Sequence, residues 1–223
     1  MHTTIATIYL IVLLIAFFCS LISFRLHYPL HLKFFSIFLG LTVFIEFVAT
    51  FILPRLNFDS NYSAYNSFFL IQLVSLGYYF YLLTRSPFFK KTIILLIVVY
   101  SVFWICNTLI IYTNFKEPYW NSYGAMVGDL FIIIFVSRYL FELLTGTELI
   151  SLKKSSEFWI ATGILLFCSC ELPITGIMNF LVKDPILTRK LVKILQVLNI
   201  SMYLIFIYAY LCRIKPTMKK SLS

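Results

Sequence analysis

Seven long apolar stretches, separated by short polar breaks, occupy almost the whole of this 223-residue chain, and they decide its solvent before any other property. A bilayer core about 30 Å thick is crossed by about 20 helical residues. Windows of that length fall at residues 4–24, 32–53, 62–84, 92–113, 122–145, 157–181 and 190–211. Hydrophobic residues make up 61% of the chain and the mean hydropathy is +0.93, so a soluble fold of this size would have to expose large apolar patches to water. The expected class is an all-α membrane protein, a bundle of seven transmembrane helices forming one domain over residues 1–212. The breaks contain Pro29, Pro54, Pro87, Pro118, Pro185 and Pro216, residues that interrupt helices for want of an amide hydrogen. Pro173 instead falls within a span, where it is expected to kink the sixth helix.

Lys and Arg concentrate in short cytoplasmic loops, so their distribution predicts orientation. One side of the predicted bundle holds Arg25, Lys33, Arg85, Lys90, Lys91, Lys153, Lys154, Arg213, Lys215, Lys219 and Lys220, eleven residues, and the other holds Arg55, Lys116, Lys183, Arg189 and Lys190, five. The N-terminus is therefore expected outside and the C-terminus in the cytoplasm. This bias accounts for most of the net charge of +9, which in a soluble domain would suggest nucleic acid. Residues 213–223 carry four of these cations and are expected to form a basic cytoplasmic tail against anionic headgroups. The first span is expected to be retained, since residues 1–7 hold no Lys or Arg and no small-residue cleavage site follows. The longest loop, residues 146–156, leaves no room for a soluble catalytic or DNA-binding domain.

The inventory of reactive side chains removes several chemistries. Cys19, Cys106, Cys168, Cys170 and Cys212 all fall in spans, where cysteine acts as a small apolar residue. Cys168 and Cys170 are two apart on a helix and point in different directions, so they make a poor metal or redox pair. His2, His27 and His31 lie outside the spans, against the need of b-type haem and di-iron sites for imidazoles at depth. Pro29 between His27 and His31 predicts an interfacial loop there. Gly128-Asp129 is half of the glycine-aspartate motif of intramembrane aspartyl proteases, but Asp59 and Asp184 fall in loops and supply no second aspartate. Gly124 and Gly128 are expected to form a small surface for close packing. A retinal protein would need a counter-ion on the third helix, which offers Gln72 instead. No cofactor is expected.

What remains is a set of polar residues inside the spans. Glu46, Asp129 and Glu171 fall in the predicted outer half, with Gln72, Asn107, Lys193, Gln196 and Asn199 at comparable depths. At about 100° per residue, Lys193, Gln196, Asn199 and Tyr203 share one strip of the seventh helix, and Tyr65, Gln72, Ser75 and Tyr79 make a similar strip on the third. A charge at mid-helix costs about 2.5–3.5 kcal/mol on insertion scales, so these residues are expected to meet in one ligand-binding pocket where Lys193 neutralises Glu171 or Asp129. Arg138 and Glu142 have the spacing of an ordinary i, i+4 pair.

Glu46, Tyr65-Asn66, Phe158-Trp159-Ile160 with Gly163, and Tyr203 with Cys212 resemble a group of small bacterial seven-span membrane proteins. The resemblance implies residence in a bacterial inner membrane and, because such proteins are met beside two-component signalling genes, a receptor-like role. A sensory or regulatory module binding a small ligand is the expected function. The alternatives are a small-molecule or ion transporter and an intramembrane lipid-modifying enzyme. Lipids, an unknown small ligand and a cytoplasmic or membrane protein are the expected partners, and nucleic acid is not.

Overall fold

The computed structural model describes residues 2–25, 28–56, 61–114, 120–146, 152–181 and 185–212. Seven long helices follow one another: α1 (His2–Ser20), α2 (Leu30–Phe47), α3 (Tyr62–Leu83), α4 (Pro87–Asn114), α5 (Ser122–Thr145), α6 (Ser156–Leu181) and α7 (Pro185–Leu211), with no strand among the described residues. Single turns extend the first two, Ile22–Arg25 after α1 and, after α2, a π turn at Val48–Ile52 followed by Leu53–Arg55. The predicted basic tail, residues 213–223, and His27 lie outside the described residues.

Proline explains where the helices depart from their predicted bounds. Both α4 and α7 begin five residues earlier than hydropathy suggests, at Pro87 and Pro185, because a first helical position has no use for the missing amide hydrogen. Lys90, Lys91, Arg189 and Lys190 thereby move from loops into the first two turns of these helices. Pro54 does not stop α2 either. Its ring crowds the carbonyl of Thr50, and the backbone there takes the wider π turn. Helix α6 runs unbroken through Pro173, and Thr175 Oγ1 just beyond it hydrogen-bonds the carbonyls of Glu171 and Leu172, both at 3.1 Å.

Six of the seven helices are long and apolar enough to cross a membrane. Helix α5 is as long as its neighbours but carries Asp129, Arg138 and Glu142 and turns nine residues into the core. The packing accounts for this. Helices α1, α2, α3, α5, α6 and α7 form a closed ring in which α7 returns to pack on α1, and α4 lies outside it against α3 and α5. Consequently α4 exposes Phe88, Leu95, Val102 and Leu109 in a stripe, whereas the ring buries Leu13, Leu32, Phe35, Tyr79, Phe135 and Phe206.

The end of the bundle where α2, α4 and α6 begin is stitched by polar contacts. Ser36 Oγ meets Ser23 Oγ at 2.9 Å and Tyr210 OH at 3.1 Å, and Tyr210 OH donates to Leu32 O at 3.0 Å. His31 sits in the first turn of α2, not in a loop, and its Nε2 is 2.9 Å from Glu157 Oε1. Pro29 caps the helix from outside it and so permits the first turn that the sequence argued against. Arg138 and Glu142 form the expected pair at 3.2 Å, and Thr84 Oγ1 donates to Glu142 at 2.8 Å.

At the other end an asparagine cluster fastens α4 to the ring. Asn121 caps α5 by accepting from Gly124 N at 2.8 Å, accepts as well from Asn107 Nδ2, and donates its own N–H to Asn66 Oδ1 at 3.0 Å. Tyr100 OH donates to Gly124 O at 3.0 Å, and a Cβ on Gly128 would stand 3.0 Å from that hydroxyl. The small surface of α5 therefore receives a tyrosine ring. Asn121→Ala should lower stability by about 1–2 kcal/mol through the lost cap and the stranded Asn107 amide. Asn121→Asp, which retains the acceptor, should lose much less. Thermal unfolding in detergent compares them, and equal losses would discard the cap.

Candidate functional site

Helices α1, α2, α3, α6 and α7 enclose a cavity of about 430 Å³, within the range of about 300–1,000 Å³ usual for small-ligand sites. Residues three and four apart supply its wall, as helical geometry requires. Ala6, Tyr9 and Leu10 come from α1, Phe38, Thr42 and Glu46 from α2, and Tyr65, Phe68, Phe69, Gln72 and Leu76 from α3. Cys168 and Glu171 come from α6, and Leu195, Gln196, Asn199, Met202, Tyr203 and Phe206 from α7. Trp120, just ahead of α5, completes the wall and packs edge-on against Tyr62 and Phe69 at 5.8 and 5.3 Å between ring centres.

Glu46 is the best-held polar group in this wall. Tyr9 OH donates to its Oε1 at 2.5 Å and Tyr65 OH to its Oε2 at 3.1 Å, so one side chain joins α1, α2 and α3. The ring of Tyr9 lies 6.0 Å from that of Tyr203 on α7. Glu171 is held differently. Among the described residues its carboxyl makes no hydrogen bond or ion pair, and the amides of Gln72 and Gln196 are likewise without a protein partner. Asn199 donates to Leu195 O at 3.1 Å and keeps its Oδ1 available. Each cavity carboxyl also adjoins an irregularity in its helix: the π turn begins two residues after Glu46, and Pro173 stands two residues after Glu171.

The structure thus gathers Glu46, Gln72, Glu171, Gln196 and Asn199 on one cavity, and places the other three expected residues elsewhere. Asn107 belongs to the asparagine cluster. Asp129 is 4% exposed with Oδ2 lacking a hydrogen bond, and it lies behind the wall beside the Cys168 thiol, within electrostatic reach of Glu171. Lys193 forms no ion pair with Glu171 or Asp129 among the described residues, contrary to expectation. The cavity strip of α7 is centred near Asn199, and at about 100° per residue Lys193 falls roughly 120° round from it. Among the described residues no group of three metal-ligating side chains comes together.

Tyr9 and Trp120 were not legible as site residues. Tyr9 is the single tyrosine of α1, and that isolation among aliphatic residues was the available signal. Trp120 stands at the end of a predicted span, where a tryptophan ordinarily anchors the interface. Because Tyr9→Phe strands a buried acceptor, it should cost about 1–3 kcal/mol. A double-mutant cycle with Glu46→Leu, read by thermal unfolding, should give a coupling of about 0.5–3 kcal/mol, and additive losses would dissolve the contact. Comparisons of the chain with family models, with curated proteins and with solved structures return no match, so the resemblance to bacterial seven-span proteins gains no support from them.

Proposed function

We propose that this chain is an integral membrane protein whose cavity binds a small ligand, acting as a sensory or regulatory module with its N-terminus outside and its C-terminus in the cytoplasm. The observation that carries the reading is the set of polar side chains without a hydrogen-bond partner among the described residues, Glu171, Gln72 and Gln196, half-buried in the wall of a cavity of about 430 Å³. A polar group left without a partner costs about 1–3 kcal/mol once water is excluded from it, and leucine at these positions would pack without that cost. A ligand that meets these groups recovers the loss. The wall is otherwise apolar and aromatic, the usual composition of small-molecule sites. A regulatory role draws support from the π turn and Pro173 beside the two carboxyls, since helices bend most readily at such points. Orientation rests on the eleven-to-five distribution of Lys and Arg.

Two measurements test the proposal. Screening purified protein for thermal stabilisation by small molecules should yield a ligand worth about 2.7 kcal/mol at a hundredfold excess over its Kd. Gln196→Trp, which fills the cavity, should abolish that stabilisation, and stabilisation that survives the filling would place the ligand elsewhere. A periplasm-active phosphatase fused after Ser223 should be inactive, and activity there would reverse the orientation.

A further inference from the structure

We infer that the ligand is an organic cation, an ammonium group on an apolar body. The inference rests on the cavity being a ligand site and adds the sign and kind of charge it selects. Among its described lining residues the cavity has two carboxyls, Glu46 and Glu171, and no Lys, Arg or His. Both oxygens of Glu46 are engaged by tyrosine hydroxyls, whereas the Glu171 carboxyl has no hydrogen bond or ion pair among the described residues. The cations on the same half of α7, Arg189, Lys190 and Lys193, form no ion pair with it. Asp129, behind Cys168, is a third carboxyl close to the same wall.

An anionic ligand would meet these carboxyls with nothing in the wall to offset them, and a neutral ligand would leave a Glu171 carboxylate without a counter-charge. An ammonium supplies both the donors and the opposite charge. The surrounding rings favour the same charge. Tyr9, Tyr203 and Trp120 line the cavity, Tyr203 stands within electrostatic reach of both Glu46 and Glu171, and an ammonium over an aromatic face gains further stabilisation. Phe68, Phe206 and Met202 leave an apolar space for the remainder of the molecule.

Three probes of one shape and different charge test this on the full-length protein in detergent: phenethylammonium, 2-phenylethanol and phenylacetate, with binding read by tryptophan fluorescence and by calorimetry. Phenethylammonium should bind about tenfold or more tightly than 2-phenylethanol, and phenylacetate most weakly. Glu171→Gln should erase the preference for the ammonium while 2-phenylethanol still binds, which also reports that the variant is folded. Equal binding of ammonium and alcohol, or tighter binding of phenylacetate, would overturn the cation inference and leave the cavity as a ligand site. No binding by any of the three would overturn both readings. An ammonium is common to free amines and aminolipid headgroups. Weaker phenethylammonium binding in phosphatidylethanolamine nanodiscs than in phosphatidylglycerol nanodiscs would assign the natural cation to the lipid, and equal binding would assign it to a soluble amine. Either result retains the charge.

Discussion

Placing a carboxyl group in the apolar interior of a helical bundle is costly unless the protein itself supplies hydrogen-bond donors, and Glu46 obtains two, from Tyr9 and Tyr65. Those bonds reach across from α2 to both of its neighbours in the ring, so satisfying one side chain also fixes the spacing of three helices. The cavity lies alongside this junction. Its wall inherits two tyrosine rings whose hydroxyl ends are occupied. Tyr203 on α7 approaches the same junction from the opposite side, which brings the last helix into contact with the first through aromatic surface.

Polar satisfaction is unequal at the two ends of the bundle. Where α2 and α6 begin, serine, tyrosine, histidine and glutamate pair across helices: Ser36 alone contacts Ser23, Ser20, Leu32 and Tyr210, and His31 closes on Glu157. Such contacts rigidify a bundle in which apolar packing between helices competes with apolar lipid. The asparagine cluster joins α3 to α5 at the far end, but around the cavity the amides of Gln72 and Gln196 and the carboxyl of Glu171 have no such partners among the described residues. The unmet polar groups therefore gather at the cavity wall.

Much of this was legible in the sequence because hydropathy over 20 residues is a strong signal: the span placed at residues 62–84 is the helix Tyr62–Leu83, while α5, placed at Ser122–Thr145 as the structure has it, is less apolar than a membrane span requires. Proline was misread as punctuation at Pro54, Pro87 and Pro185, where it begins or prolongs a helix instead of ending one, whereas Pro29 does stand in a break, just outside α2. The polar residues were recognised as a set, but helical periodicity gives only their angle on each helix, not which helices are neighbours. Gln196 and Asn199 reach the cavity because α7 sits between α6 and α1. Asn107 does not, because α4 stands outside the ring. Lys193 was grouped with Gln196 from an arc of about 120°, a tolerance too wide to separate a cavity face from a helix flank.

The closure of α7 against α1 bears on how the molecule is made. The contact joins the two ends of the described chain, so it is among the last that synthesis permits, and closing so large a loop carries the entropic cost of a long-range contact. Without α7, Glu171 on α6 and Tyr9 on α1 belong to an open arc of helices. The cavity therefore needs helices from both ends of the described chain: without α7 against α1 its wall stays open.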